Sequence, residues 1–149
     1  MDTNSQHIRE KFMEKGLKVT PQRIAILEAI YRLDSHPTAE QIIDDIRPTH
    51  PNIATGTVYN VLDVLVNNGL VKKVKTEKDV MRYDGQTETH HHLYCMECDY
   101  IEDYYDKPLD EMIRKYLEEN RIDNFIIEDV RLQINGRFIK HKIQESKII

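Results

Sequence analysis

Thr55-Gly-Thr-Val-Tyr-Asn-Val-Leu-Asp-Val-Leu-Val-Asn-Asn-Gly69, running on into Leu70-Val-Lys-Lys-Val-Lys75 and Val80-Met-Arg-Tyr83, is the stretch that decides the fold. Val58, Val61, Leu62 and Leu65 recur at helical spacing, which predicts a helix from about Thr55 to Asn68 with one apolar face. Gly69 supplies the left-handed residue on which helices commonly stop. The two segments beyond it flank Thr76-Glu-Lys-Asp79 and read as short strands of a hairpin. A helix that leads straight into a hairpin is the outline of a winged helix-turn-helix if further helices precede it.

Three helices are expected upstream. The first runs from about Ser5 to Lys15, with Ile8, Phe12 and Met13 on one side and Gly16 at its end. Thr20 caps the second, with Pro21 at its first position and Ile24, Leu27, Ile30 and Tyr31 as its apolar stripe. Thr38 opens the third, with Gln41 placed to complete a capping box; Ile42, Ile43 and Ile46 face inward, and Pro48 ends it. In this architecture the helix starting near Thr55 enters the major groove by its N-terminal end. Tyr59 and Asn60 project away from its apolar face, and Thr55 and Thr57 flank it. These side chains suit phosphates, base edges and thymine methyl groups, while Lys15, Lys18 and Arg23 supply positive charge nearby. The plain alternative is the solvated surface of a helical bundle.

The second half carries different chemistry. Strands are expected near His91–Cys95 and Tyr100–Tyr105, a helix from Pro108 to Asn120, and a strand near Phe125–Ile134, with a polar, mobile tail after Gly136. Side chains alternate along a strand, so His90 and His92 share one face and His91 takes the other. Their Cα atoms stand about 7 Å apart, a reach from which two imidazoles can bind one ion. Asp103 can approach that face from the following strand, Asp84 closes the wing hairpin, and a lone His36 lies upstream in His36-Pro-Thr-Ala39. Imidazoles with carboxylates suit Fe(II), Mn(II) or Zn(II); the alternative is a solvated histidine run. Cys95-Met-Glu-Cys98 is half of a tetrahedral zinc site. The chain has two cysteines in all, and His141 is the only histidine downstream, so a structural four-cysteine zinc is not expected. The pair binds zinc with His141, forms a redox dithiol, or is idle.

Composition sets the outer limits. The chain has 149 residues and a formal charge of −5, one or two small domains with thin cores that a metal or a dimer partner would support. Residues 1–75 carry ten Lys/Arg against nine Asp/Glu, whereas residues 76–149 carry eleven against seventeen, so the halves differ in task. No apolar run approaches the roughly 20 residues of a membrane helix and no signal-peptide core opens the chain, which predicts a cytoplasmic protein with no membrane partner.

The residues then match a family. Gly16-Leu-Lys-Val-Thr-Pro-Gln-Arg23, His36-Pro-Thr-Ala39, Thr57-Val-Tyr59, Gly69-Leu-Val71, Arg82-Tyr-Asp84, His90-x-His92 and Cys95-x-x-Cys98 resemble the ferric uptake regulator superfamily along nearly the whole chain. Within it they are most like its peroxide-responsive repressor branch. The resemblance implies an α+β protein, with a winged-helix DNA-binding domain at 1–84 and a small α/β dimerisation and metal-binding domain with an antiparallel sheet at 85–149. It implies a regulatory metal, Fe(II) or Mn(II) and with Zn(II) as an option, on His36, Asp84, His90, His92 and Asp103. The iron-sensing branch typically has Glu where this chain has Asp103. DNA contacts carry over to Lys18, Thr57, Tyr59 and Asn60, and the histidines open to peroxide-driven oxidation are His36 and His90. Three features depart from the family. Phe138 and His141 replace the second CxxC. Ala54 replaces the Ser before the recognition helix, which shifts the expected cap to Thr55. No histidine stands near Val130–Arg131.

The expected function is a homodimeric repressor that reads a palindromic operator in double-stranded DNA and senses peroxide through Fe(II). The alternatives are a metal-availability regulator for iron, manganese or zinc on the same fold, and a metalloenzyme in which an open metal position activates water.

Overall fold

The helix expected from the opening stretch is α4, Thr55–Asn67, and its buried residues are Val58, Val61, Leu62 and Leu65. The computed structural model describes residues 3–34, 36–76 and 78–140. They form two units that part between Thr87 and Glu88.

In the first unit α4 packs with α1 (Thr3–Glu14), α2 (Pro21–Leu33) and α3 (Ala39–Ile46) around one core that includes Phe12, Leu27, Ile42, Leu62 and Leu65. The sequence sets the helix starts. Thr20 accepts from the Arg23 N–H at the head of α2. Thr38 and Gln41 exchange both capping-box bonds at the head of α3. The head of α4 differs from expectation. Ala54, not Thr55, is the N-cap, and no side chain caps it. An alanine methyl accepts nothing, so only the Ala54 carbonyl takes part, receiving the Thr57 and Val58 N–H groups at 3.0 and 3.2 Å. Gly69 has φ +72°, as its place after the helix requires. The wing is β1 (Lys72–Lys75) paired antiparallel with β2 (Met81–Asp84), Lys72 opposite Asp84.

The second unit is a three-stranded sheet with strand order β4-β3-β5, accompanied by helix α5. β3 (His91–Cys95) and β4 (Ile101–Tyr104) are antiparallel. β5 (Gln133–Gly136) joins β3 in parallel, which makes the sheet mixed rather than antiparallel throughout. The strand expected over Phe125–Ile134 is thus confined to Gln133–Gly136. The apolar run before it has no regular structure, and Phe125 and Ile126 are exposed. α5, Lys107–Glu119, begins at Asp106, whose carboxylate accepts from the Leu109 N–H, and it buries no residue. Met112 and Tyr116 are exposed, and Tyr94 and Ile101 are the large buried apolar side chains of this unit. No helix among the described residues is long and apolar enough to cross a membrane.

Candidate functional site

In the first unit the wing positions one pair of candidate ligands. β2 is tied to the segment between α2 and α3 by Tyr83 N–H to the Pro37 carbonyl at 2.9 Å, by a Thr38–Arg82 bridge, and by the Arg82 guanidinium donating to the His36 carbonyl at 3.2 Å. His36 itself has φ +55°, a left-handed conformation that histidine adopts more readily than most non-glycine residues. That turn brings His36 Nε2 to 3.5 Å from Asp84 Oδ2, both side chains buried. The other Asp84 oxygen accepts the Gln86 N–H at 2.8 Å, which fixes the carboxylate.

In the second unit the strand alternation is realised. His90 and His92 stand ring to ring, centroids 4.7 Å apart. His90 Nε2 lies 3.1 Å, and His92 Nε2 3.5 Å, from the same Asp103 oxygen. His90 Nδ1 meets the Glu88 carbonyl at 2.7 Å. A carbonyl can only accept, so Nδ1 is the donor and Nε2 is the nitrogen turned toward Asp103, the orientation that a metal-binding imidazole takes. Tyr105 stacks on His90 at 5.3 Å. It stands two residues after Asp103, so strand alternation alone could have placed it on this face. His91 points the other way. It is buried, its Nε2 lies 2.5 Å from Asp110, and its Nδ1 accepts the Leu132 N–H at 3.0 Å. It ties β3 to α5, a structural role with no lone pair left for an ion.

These separations test whether a metal fits. Donor atoms held about 2.1 Å from one ion stand roughly 3.0–3.4 Å apart in octahedral or tetrahedral geometry. The 3.1–3.5 Å spacings within each unit match that edge. In each unit the donor set, one imidazole with one carboxylate in the first and two imidazoles with one carboxylate in the second, suits a borderline or hard divalent ion such as Fe(II), Mn(II) or Zn(II).

The thiol pair is a separate feature. Cys95 is buried and Cys98 half-buried. Cys98 N–H points at Cys95 Sγ, 3.3 Å away. Burial opposes ionisation of Cys95, but hydrogen bonds from the Cys98 thiol and from the backbone N–H groups of Cys98, Phe138 and Glu97 bring it down to about 6. Burial, and then the shared hydrogen bond with Cys95, push the Cys98 thiol up. The Phe138 ring packs edge-on against Tyr100 at 5.9 Å. His141 lies outside the described residues. Two cysteines in the chain cannot supply four thiolates, so the family's four-cysteine zinc does not fit.

On α4, Thr55, Tyr59 and Asn60 are exposed and Thr57 is half-buried; Lys18 is exposed in the loop before α2. The Lys18 carbonyl accepts from Arg23 at 2.8 Å, which ties that loop to the head of α2. Exposed polar side chains on the first turns of α4, with a basic loop in the same unit, meet the requirement for a groove-reading surface.

The profile of the ferric uptake regulator family matches residues 14–135. The peroxide-responsive repressor PerR of Staphylococcus saprophyticus is 35% identical over 121 residues, 81% of this chain and 80% of that protein. Among solved structures, the ferric uptake regulator of Pseudomonas aeruginosa with manganese aligns with a TM-score of 0.75 at 22% identity, covering 89% of this chain and 98% of that one. The Campylobacter jejuni peroxide stress regulator aligns with a TM-score of 0.69 at 24% identity, covering 94% and 98%. These structures share the fold of this chain.

Proposed function

The chain belongs to the ferric uptake regulator family, and from that premise we propose a dimeric, metal-dependent transcriptional repressor that senses peroxide. The family's members are transcriptional regulators and not enzymes. His36, Asp84, His90, His92 and Asp103 would together hold one Fe(II) or Mn(II), with ligands drawn from both units. The observation that carries this reading is the His90–His92–Asp103 cluster. It has one imidazole oriented by the Glu88 carbonyl and donor spacings that match an ion's coordination edge. The 35% identity to peroxide-responsive repressors, and Asp rather than Glu at position 103, favour the peroxide branch.

A ligand set shared by two units acts as a clasp. Closing it sets the spacing of the two α4 helices in a dimer, and hence which half-site separation of a palindromic operator is read. Fe(II), when bound, would lend the one electron that splits the hydroperoxide O–O bond; the net two electrons that reduce the peroxide would come from a ligand imidazole, which gains one oxygen, while the other oxygen leaves as water. His36 and His90 are the side chains that would take up oxygen. An oxidised imidazole is a poorer ligand, so the clasp opens and operator affinity falls. Lys18, Thr55, Thr57, Tyr59 and Asn60 would make the DNA contacts. The second copy would cover the groove of about 1020 Å³ lined by Ile113, Leu117, Phe125 and Ile127, along with the exposed Met112 and Tyr116.

The test is anaerobic loading with Fe(II), a small dose of hydrogen peroxide, and peptide mass spectrometry beside operator binding. The expected result is one oxygen on His36 or His90 with a parallel loss of binding, and no change in the Mn(II) form. Metal-dependent operator binding that peroxide leaves intact would make the protein a metal-availability regulator. Hydrolytic turnover without operator binding would point to the metalloenzyme.

A further inference from the structure

We infer that Cys95 and Cys98 are a reversible dithiol–disulfide pair, oxidised by small hydroperoxides independently of the histidine–aspartate cluster. The geometry comes from one turn. β3 ends at Cys95, and the Asp99 N–H returns to the Cys95 carbonyl at 2.9 Å. Asp99 takes a left-handed φ of +63°, and the Tyr94 hydroxyl donates to its carboxylate at 2.5 Å. A reversal of this kind keeps its first and fourth Cα atoms within about 7 Å, the span a disulfide bridges. The two thiols already share a hydrogen bond.

What surrounds the pair separates it from a four-cysteine metal centre. Tetrahedral zinc needs four donors, and this chain offers two thiols. Position 138 brings a backbone N–H to Cys95 and an aromatic ring to Tyr100 instead of a third sulfur. The N–H groups around Cys95 favour its thiolate, the nucleophilic form, and Cys98 remains the protonated partner. Attack proceeds from Cys95 sulfur on one hydroperoxide oxygen. An S–O bond forms and the O–O bond breaks, and the departing oxygen leaves as alcohol, or as water from hydrogen peroxide, after taking a proton from solvent. Cys98 sulfur then attacks Cys95 sulfur. The S–S bond forms, the S–O bond breaks, and hydroxide leaves as water with the Cys98 proton. The two sulfurs have lost two electrons and the peroxide has gained them. Because Cys95 is only 1% exposed, hydrogen peroxide should outpace bulky organic hydroperoxides.

Oxidation also reaches β5. Cys95 stands in register with Gly136, and the next residue, Met96, donates its N–H to the Gly136 carbonyl at 2.8 Å. A disulfide sulfur is a weaker acceptor than a thiolate, so the Phe138 N–H loses its partner and the end of β5 loosens.

The experiment uses the full chain, purified without oxygen and assayed for zinc. Metal-free and Fe(II)-loaded samples are each given stoichiometric hydrogen peroxide, then a dithiol reductant. The expected result in both is loss of two thiols per chain, a Cys95–Cys98 crosslinked peptide, faster hydrogen exchange at Phe138, and full reversal by the reductant. Cys98→Ser should stop at a sulfenic acid on Cys95 that a carbon nucleophile traps. Cys95→Ser should leave Cys98 reduced at the same dose, with circular dichroism confirming that both variants fold. Thiols that stay reduced while holding stoichiometric zinc overturn the proposal in favour of a metal site. Thiols that stay reduced without metal overturn it in favour of an idle pair. Histidine oxidation is scored separately in the Fe(II) sample, so failure here is distinguishable from failure of the repressor mechanism.

Discussion

His92 and Asp103 are direct partners across the antiparallel β3–β4 pair, with His92 Nε2 3.5 Å from Asp103 Oδ1. Facing residues in such a pair have Cβ atoms about 4.5–5.5 Å apart, so the ladder itself sets the distance between an imidazole and a carboxylate. Two of the three candidate ligands of the second unit, His92 and Asp103, are therefore set by the strand ladder, with His90 just before β3, and these side chains should respond to substitution as ligands and not as folding residues.

Asp103→Ala should weaken Mn(II) binding by at least about 10–100-fold, the loss seen when even an outer partner of a metal site is removed. Competition with a chromogenic chelator measures it, with thermal unfolding of the metal-free protein as the control. Unchanged Mn(II) affinity would remove Asp103 from the ligand set.

Tyr59→Ala should cost about 1–3 kcal/mol at a specific operator and much less on random DNA, the signature of a base contact. Lys18→Ala should instead weaken both about equally and reduce the slope of log affinity against log salt by about one. Fluorescence anisotropy across a salt series reads both. A Tyr59 variant that loses affinity equally on the two DNAs would make that residue a backbone or folding contact.

Gly85→Ala should destabilise the first unit. A Cβ there would stand 2.8 Å from the Tyr31 ring and 3.3 Å from Ile30. Tyr31 cannot swing aside without losing the hydrogen bond that Lys11 donates to its hydroxyl at 2.9 Å. Overpacking of this kind costs about 1–3 kcal/mol, measurable as a lower denaturant midpoint with an unchanged slope. A midpoint equal to that of the parent protein would show that the ring yields freely.

The Cys95 thiol gives a pH dependence with a definite sign. Its pKa falls from 9.0 to about 6 on folding. The thiolate's contribution to stability is thus complete above about 9 and lost as pH falls through about 6. Thiolate ultraviolet absorbance should titrate near 6 in the reduced protein, and Cys95→Ser should flatten the stability profile across that window. A midpoint near 9 would mean that the surrounding N–H groups do not act on this sulfur.

Much of this molecule is legible in its residues. Thr20 with Pro21, and Thr38 with Gln41, carry their caps in their own chemistry, and the α4 stripe names its buried face. Alternation at the start of β3 separates His92, and His90 just before the strand, from His91. The failures have physical reasons. Phe125-Ile-Ile127 has strand composition, but composition reports a wish for burial and not a ladder partner; with Ile126 exposed, the run stays irregular. The parallel attachment of β5 depends on a crossover through α5 that no local pattern encodes. At Ala54 the expected transfer of the cap to Thr55 does not occur, because the helical hydrogen bonding already begins at the Ala54 carbonyl, which receives the Thr57 and Val58 N–H groups. The proposal that His36 shares a metal with the strand histidines rests on family resemblance, because no spacing in the chain links it to a strand more than fifty residues away.

The left-handed backbone at His36 bears on how any ligand-removal experiment is designed. Its φ of +55° is tolerated by Asn and Gly but strained for Ala. An alanine at this position would change two things at once, the donor atom and the path of the chain into α3. His36→Asn, which accepts the same bend, is the substitution that isolates the imidazole, and the difference between the two variants would measure how far the bend alone prepares the site.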